Sequence, residues 1–171
     1  FVYDAGGKGG LIILCGMGKR LHALDATGAT LWSYPMNREL DSAIAIADAD
    51  GDGEAEIYAT DLSGHVVSLT LGGKLRWTAE VDERSRRSPA IADVDGDGKL
   101  EILVASYSSA LQVFDPQGKL KFRVALPGPS NGTPTPVVLP KVSEAATAPT
   151  VASMVELPVA SSATLPTGLA A

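Results

Sequence analysis

The sequence predicts an all-β protein built from β-propeller blades, each a four-stranded antiparallel meander. The first observation is an internal repeat: the aromatic residues Trp32, Trp77 and Phe122 follow one another at intervals of 45 residues. The second is that each repeat consists of short apolar or alternating runs separated by glycine turns, as in a meander. Four-stranded units that recur every 40 to 50 residues, roughly, are the pattern of propeller blades.

Each repeat is predicted to contain four strands in a fixed order. The first is small and apolar, the second is a continuous apolar run typical of a strand buried on both faces, and the fourth carries the repeated aromatic residue. The expected ranges are 42–47 and 88–92 for the first strand, 56–60 and 101–105 for the second, 21–24, 66–70 and 111–114 for the third, and 30–34, 75–78 and 120–123 for the fourth. Gly28, Gly73 and Gly118 supply the positive φ of the turn before strand four. We expect the aromatic residue to pack on the next blade.

The repeats divide the chain into blades and a tail. We assign blades to residues 1–41, 42–87 and 88–132 and a closing strand to 133–139, so that blades extend over 1–140. The first blade is expected to lack most of its first strand. Because a propeller ring needs about four to eight blades, we expect a longer protein or other chains to complete it. Residues 141–171 are rich in Ala, Ser, Thr, Pro and Val, and this tail either lies on its own domain or binds a neighbouring subunit.

Two acidic, glycine-rich loops separate the first strand from the second in the later repeats. Closely spaced carboxylates repel one another unless a cation neutralises them, and Ca²⁺ prefers six to eight oxygen ligands. Position 7 is a lysine in one loop, so we assign a backbone carbonyl ligand there. The expected ligands of two Ca²⁺ sites are Asp48, Asp50, Asp52, Glu54 and Glu56, and Asp93, Asp95, Asp97, Lys99 and Glu101.

The alternatives for these loops are an EF-hand and an acidic turn that binds nothing. An EF-hand needs a glutamate at position 12 and flanking helices, but this chain has Ala59 or Val104 there and flanking strands. The acidic turn remains as the alternative to a calcium loop. The first repeat has Tyr3, Ala5, Gly7 and Leu11 at the ligand positions, so we expect two sites rather than three; only Asp4, one place out of register, is acidic there.

Two family resemblances rest on these motifs. Ala-Ile-Ala-Asp-x-Asp-Gly-Asp-Gly-x-x-Glu, followed by a hydrophobic strand, resembles the FG-GAP/VCBS type of calcium-binding propeller repeat. The stretch Leu-His-Ala-Leu-Asp-Ala-Thr-Gly-Ala-Thr-Leu-Trp32 resembles the PQQ-like repeat. Together they cover roughly residues 1–125. The resemblance implies a propeller that recognises ligands with its end loops.

The loops between blades are the candidate ligand surface. They lie at the opposite end of the blades from the acidic loops, because turns alternate between the two ends of a meander. Their arginines, Arg38, Arg84, Arg86 and Arg87, suit an anionic group such as a uronate or a partner carboxylate. The alternative is a solvated run of charges balanced by Glu39, Glu80, Asp82 and Glu83.

The composition and the lack of catalytic motifs exclude several classes of partner and enzyme. The formal net charge of −6 excludes nucleic acid as a favoured partner, the single Cys15 excludes an intrachain disulfide, and no apolar stretch is long enough to span a membrane. No motif of a hydrolase, a P-loop enzyme or a dinucleotide-binding enzyme is present, and His22 and His65 are expected at surface or wall positions of the blade rather than in catalysis.

We therefore interpret the chain as a non-catalytic, calcium-binding propeller module of an exported or cell-surface protein. It would bind protein or carbohydrate or act as an assembly scaffold, in an extracytoplasmic compartment where calcium is abundant. One alternative is a fragment of a propeller enzyme, either a quinoprotein-like dehydrogenase or a polysaccharide lyase. Another is an accessory subunit of a larger surface complex, held by its C-terminal tail.

Overall fold

The computed structural model describes residues 2–4, 10–82, 84–128 and 133–136. They belong to the first of two compact units, Phe1–Val137; the second, Val138–Ala171, contains the expected tail and lies outside the described residues. Within the described ranges the chain forms twelve β-strands and no helix. A helix that could cross a membrane is accordingly not found in them.

The strands form three consecutive four-stranded sheets, in which each strand is antiparallel to its neighbour in the chain. The first sheet contains β1 (Val2–Asp4), β2 (Leu11–Met17), β3 (Arg20–Leu24) and β4 (Thr30–Pro35). The second contains β5 (Ala45–Ala47), β6 (Glu56–Thr60), β7 (His65–Thr70) and β8 (Leu75–Glu80). The third contains β9 (Ala90–Ala92), β10 (Glu101–Ser106), β11 (Ala110–Phe114) and β12 (Leu120–Ala125). These meanders confirm the predicted propeller blades.

The first strand of each blade differs from its predicted range. β5 and β9 are three residues long, shorter than expected. Pro89 has no amide for the ladder, and the Ser42 hydroxyl donates to the Thr60 carbonyl oxygen at 3.0 Å. The first blade, expected to lack most of this strand, has it: β1 pairs with β2 from Val2 opposite Ile13 to Asp4 opposite Leu11.

The paired residues explain why the repeat is disturbed at the start of the chain. Asp4 pairs with Leu11, whereas Ala47 pairs with Glu56. The connection between the paired residues therefore has six residues (5–10) in the first blade and eight (48–55) in the second. The first blade therefore has two residues fewer at the position of the acidic loop.

The hydrophobic core lies between successive sheets. Leu14 and Leu21 of the first blade pack with Ile57 and Leu69 of the second in one cluster. A second cluster joins the other face of the second blade to the third and includes Tyr58 and Ile102. The residues of β6 and β10 are all buried, as their continuous apolar runs predicted.

Tryptophan side chains fasten each blade to the next. Trp32 Nε1 donates to the Leu71 carbonyl oxygen at 2.9 Å, and Trp77 Nε1 donates to the Pro116 carbonyl oxygen at 2.8 Å. Each indole also lies against a positive-φ glycine of the next blade, Gly73 or Gly118. The prediction that this aromatic residue packs on the next blade is confirmed for both tryptophans; Phe122, at the same position in the third blade, is 43% exposed.

A β-bulge recurs at one position in all three blades. In the first, Ala23 pairs with Trp32 and Leu24 pairs with Thr30, which leaves Leu31 without a partner residue in the ladder. The same shift leaves out Arg76 in β8 and Lys121 in β12. A bulge adds a residue and redirects its side chain.

The expected closing strand is covered only in part. Residues 133–136 have no regular secondary structure, and 137–139 lie outside the described residues.

Candidate functional site: the acidic loops and the end loops

The first aspartate of each acidic loop organises its backbone. Asp48 accepts hydrogen bonds from the backbone amides of Gly51 and Gly53, both at 2.8 Å, one on each carboxylate oxygen. Asp93 accepts in the same way from Gly96 at 2.6 Å and Gly98 at 2.9 Å. These four glycines have φ between 77° and 90°, a conformation that glycine adopts without strain and that wraps the chain around the carboxylate.

Three carboxylates converge in each loop. Oxygen atoms of Asp48, Asp50 and Glu56 lie within 4.8 Å of one another, and those of Asp93, Asp95 and Glu101 do the same. The structure thus brings together positions 1, 3 and 9 of each predicted ligand set. Hard carboxylate oxygens at this separation could hold one metal ion.

The side chains of Asp52 and Asp97 are not among the three converging carboxylates of each loop. Asp52 Oδ1 accepts the Glu54 amide at 2.8 Å, and Asp97 Oδ1 accepts the Lys99 amide at 2.8 Å. All four residues are exposed. These short aspartates bond the backbone two residues further on and so form local turns. Asp52 Oδ2 also lies 4.0 Å from Arg76 Nη1. Their role as ligands stays a prediction.

The glutamate that closes each loop is buried. Glu56 Oε2 accepts the Ala49 amide at 3.1 Å and the Tyr58 hydroxyl at 3.2 Å, and Glu101 Oε2 accepts the Val94 amide at 2.9 Å. Burial raises the pKa of Glu56, although the Ala49 amide and the nearby Arg76 guanidinium act in the opposite direction. Burial, together with the Glu56 carboxylate, also raises the pKa of Tyr58.

A basic residue that the loop motif does not contain reaches into each acidic cluster. The Arg76 guanidinium forms ion pairs with Glu56 and, at 2.5 Å, with Asp50 Oδ2. Lys121 Nζ lies 2.5 Å from Asp95 Oδ2 and 2.9 Å from Glu101 Oε1. The Lys121 ammonium group lowers the pKa of Asp95, and the two carboxylates raise the pKa of Lys121. Sequence reasoning missed both residues, although the 45-residue step between them was a signal that could have found them.

The end loops lie at the other end of the blades. The loop before β5 bonds to the β6–β7 turn through the Leu62 amide and the Glu39 carbonyl oxygen at 3.0 Å, and the Tyr107 amide bonds the Arg84 carbonyl oxygen in the same way at 3.1 Å. The predicted separation of acidic loops from end loops therefore matches the strand order.

Three of the four end-loop arginines have a side-chain partner close by. Arg38 lies 3.5 Å from Glu39, Arg86 lies 3.7 Å from Asp41, and the Arg84 guanidinium carbon lies 5.5 Å from the centre of the Tyr107 ring. For Arg87 the structure gives backbone hydrogen bonds, to Ser85 and Thr60. Of the predicted acidic balance, Glu80 lies near His65 and Asp82 pairs with Arg123, whereas Glu83 lies outside the described residues.

Comparison with known proteins supports the propeller fold. Residues 17–96, just under half of the chain, match the PQQ_2 family model, which is described as outer membrane protein assembly factor BamB. No curated protein matches the chain.

Solved structures resemble the chain at the level of fold. The C-terminal domain of PilY1 from Pseudomonas aeruginosa has a TM-score of 0.59 at 18% identity over 72% of this chain and 32% of its own. BamB from Moraxella catarrhalis has 0.50 at 19% identity, over 73% and 35% respectively. The quinohemoprotein alcohol dehydrogenase of Comamonas testosteroni has 0.50 at 17% identity, over 66% and 19%. The chain thus spans about a third or less of the length of each.

These matches support the propeller fold, and the matched proteins include both an assembly factor and a dehydrogenase. The resemblance to the PQQ-like repeat is supported over residues 17–96. The assignment to the calcium-binding FG-GAP/VCBS type stays a prediction based on the two acidic loops.

Proposed function

We propose that this chain is part of a calcium-binding propeller that works in an extracytoplasmic compartment as a protein-interaction or assembly scaffold. The observation that carries the proposal is the match of residues 17–96 to a family described as an outer membrane assembly factor. That description also supports the extracytoplasmic location. The matched range contains the last two strands of the first blade, the whole second blade and the first strand of the third, so it includes a candidate metal site and both end loops.

The residues of the acidic loops fit Ca²⁺ in donor type and separation. Each loop offers three carboxylates within 4.8 Å of one another, one of them buried, and Ca²⁺ prefers oxygen ligands in flexible arrangements. Asp48, Asp50 and Glu56 would hold one ion, and Asp93, Asp95 and Glu101 the other. The ion would offset the repulsion among the carboxylates and fix the loop between the first two strands of the blade.

Calcium binding is tested by thermal unfolding with Ca²⁺ and with a chelator. Ca²⁺ is expected to raise the melting temperature, because a ligand that binds only the folded state stabilises it. Asp50→Ala should reduce this rise more than Asp52→Ala, because Asp50 lies in the carboxylate cluster and Asp52 does not. If the wild-type protein melts at the same temperature in chelator as in Ca²⁺, the calcium assignment is refuted.

The end loops are the proposed interaction surface. Arg38, Arg84 and Arg86 are exposed, and Tyr107 lies beside Arg84 with 37% of its surface exposed. An exposed tyrosine next to an arginine offers both apolar contact and charge-assisted hydrogen bonds, which suit a partner protein or an acidic carbohydrate.

Site-specific photocrosslinking in intact cells tests this surface. A photoreactive amino acid replaces Tyr107 in one variant and Leu75, which is 50% exposed on β8, in the control. Covalent adducts with envelope components at residue 107 and not at residue 75 support the scaffold role. Equal labelling at both positions contradicts it.

A second candidate is part of a quinone-dependent enzyme. It is favoured by the similar fold of a quinohemoprotein alcohol dehydrogenase, of which the chain covers 19%. Such an activity would need further blades to supply the cofactor site. Titration of the intact protein with pyrroloquinoline quinone, followed by absorbance, distinguishes the two candidates.

A further inference from the structure

The β-bulge in the fourth strand directs one side chain toward the acidic loop of the same blade. Arg76 has no partner residue in the ladder between β7 and β8, and Lys121 has none between β11 and β12. Both side chains pass the third strand and reach the glutamate at the start of the second, 20 residues earlier in the chain. Each basic side chain is 27% exposed and its glutamate partner is almost fully buried, so the pairs with Glu56 and Glu101 are partly shielded from solvent.

The basic residue contacts the same carboxylates that a metal ion would need. Arg76 lies on Asp50 and Glu56, and Lys121 lies on Asp95 and Glu101. These are two of the three residues in each candidate metal cluster. The third, Asp48 or Asp93, already accepts backbone amides on both oxygens. A cation is therefore present among the carboxylates, and it belongs to the protein.

The first blade provides an internal comparison. At the bulge it has Leu31, and at the position of the buried glutamate it has Leu11. The basic residue and the glutamate are thus present together in the second and third blades and absent together from the first. The bulge itself occurs in all three blades, so the backbone does not require a basic residue there.

We propose that Arg76 and Lys121 are tethered counter-ions, which neutralise the acidic loops in the absence of calcium and must be displaced when Ca²⁺ binds. The inference rests on the proposed calcium binding for its second half only. Two cations cannot share the same carboxylate oxygens without strong repulsion, so metal and side chain compete. The chain would then fold without Ca²⁺, and the basic residue would weaken the affinity for it.

The experiment compares wild type with Arg76→Leu and Lys121→Leu, which introduce the residue that the first blade has at this position. Melting temperatures are measured in chelator and in excess Ca²⁺, and Ca²⁺ affinity is measured by calorimetry. In chelator both variants are expected to melt on the order of 10 °C lower, because a buried glutamate loses its counter-ion. The affinity of the altered loop for Ca²⁺ should rise by about tenfold or more.

Lys119→Leu is the matched control. It removes the same charge two residues before Lys121, and its side chain forms no ion pair among the described residues. It should change neither measurement by more than a small amount. If Lys119→Leu and Lys121→Leu act alike, the effect is one of overall charge and the proposal is wrong.

The remaining outcomes separate the two halves of the inference. If the leucine variants melt at the wild-type temperature in chelator, the counter-ion role is overturned. A lower melting temperature with wild-type Ca²⁺ affinity overturns the competition. If the variants are less stable in chelator and neither they nor wild type bind Ca²⁺, the counter-ion role is supported and the proposed calcium function is refuted.

Double variants cover the case in which a single variant does not fold. Glu56→Leu/Arg76→Leu reproduces the first blade and should recover the folded protein, because it removes the uncompensated carboxylate together with its partner. Arg76→Lys should also fold, since the third blade uses a lysine. Failure of both to fold would contradict the proposal.

Discussion

The contact between Trp77 and Gly118 predicts how much the interface between blades contributes to stability. A Cβ atom built on Gly118 would lie 2.5 Å from Trp77 Cδ2, closer than any normal carbon contact. Gly28 has almost the same φ, 85° against 83°, but a Cβ there meets no atom within 4 Å. Gly118→Ala and Gly28→Ala therefore share the cost of an alanine at positive φ, and only the first disturbs the tryptophan.

The free-energy costs of the positive φ and of the overpacking can be estimated separately. Alanine in the left-handed region costs about 1–2 kcal/mol, which is the whole effect expected of Gly28→Ala. Overpacking adds about 1–3 kcal/mol in Gly118→Ala. For a chain of this size each kcal/mol lowers the melting temperature by about 2–4 °C.

Calorimetry and near-ultraviolet circular dichroism measure these effects, because the dichroism reports the packing of the indole. Gly118→Ala should melt at the lower temperature of the two and should change the tryptophan signal. Trp77→Ala should remove most of the difference between the two glycine variants. Equal melting temperatures for Gly28→Ala and Gly118→Ala would refute the docking argument.

Three other predictions concern single side chains. Trp77→Phe should lower the free energy of unfolding by about 1–2 kcal/mol, because it removes the hydrogen bond to the Pro116 carbonyl oxygen. Urea unfolding measures this loss, and no loss would mean that the hydrogen bond does not contribute to stability. Burial alone would raise the pKa of Asp61, but hydrogen bonds from the Ser63 hydroxyl and from backbone amides hold it below the usual 3.8. Its stabilising effect is therefore full above pH 3.8 and lost as the pH falls through the lower folded pKa, and Asp61→Asn should flatten the acid limb of urea midpoints measured against pH. Arg84→Ala should leave the melting temperature within about 2 °C of wild type, because the contact with Tyr107 is exposed; a larger drop would assign Arg84 a structural role.

The blade architecture could be predicted because its signals are local and repeated. Strand periodicity, glycine turns and the 45-residue step of Trp32 and Trp77 all depend on residues close in sequence. The start of the chain was less predictable, since the connection before Leu11 is two residues shorter than the one before Glu56. A shortened loop moves every earlier residue out of the repeat register.

The sequence predicted the carboxylates of the candidate metal site but not the basic residues that neutralise them. Asp48, Asp50 and Glu56 converge as their spacing indicated. Arg76 was overlooked because it lies 20 residues beyond Glu56 and reaches it only through a β-bulge, a feature that period-two alternation does not reveal. A motif of nine residues cannot include a partner two strands away.

The recurring bulge has a consequence for how such a chain can change. The extra residue is outside the ladder, so its replacement leaves the pairing on both sides intact. Leucine, arginine and lysine all occupy the position in this one chain. In the second and third blades this position therefore sets the charge balance of the acidic loop without altering the strand pairing, and the two loops can be tuned independently.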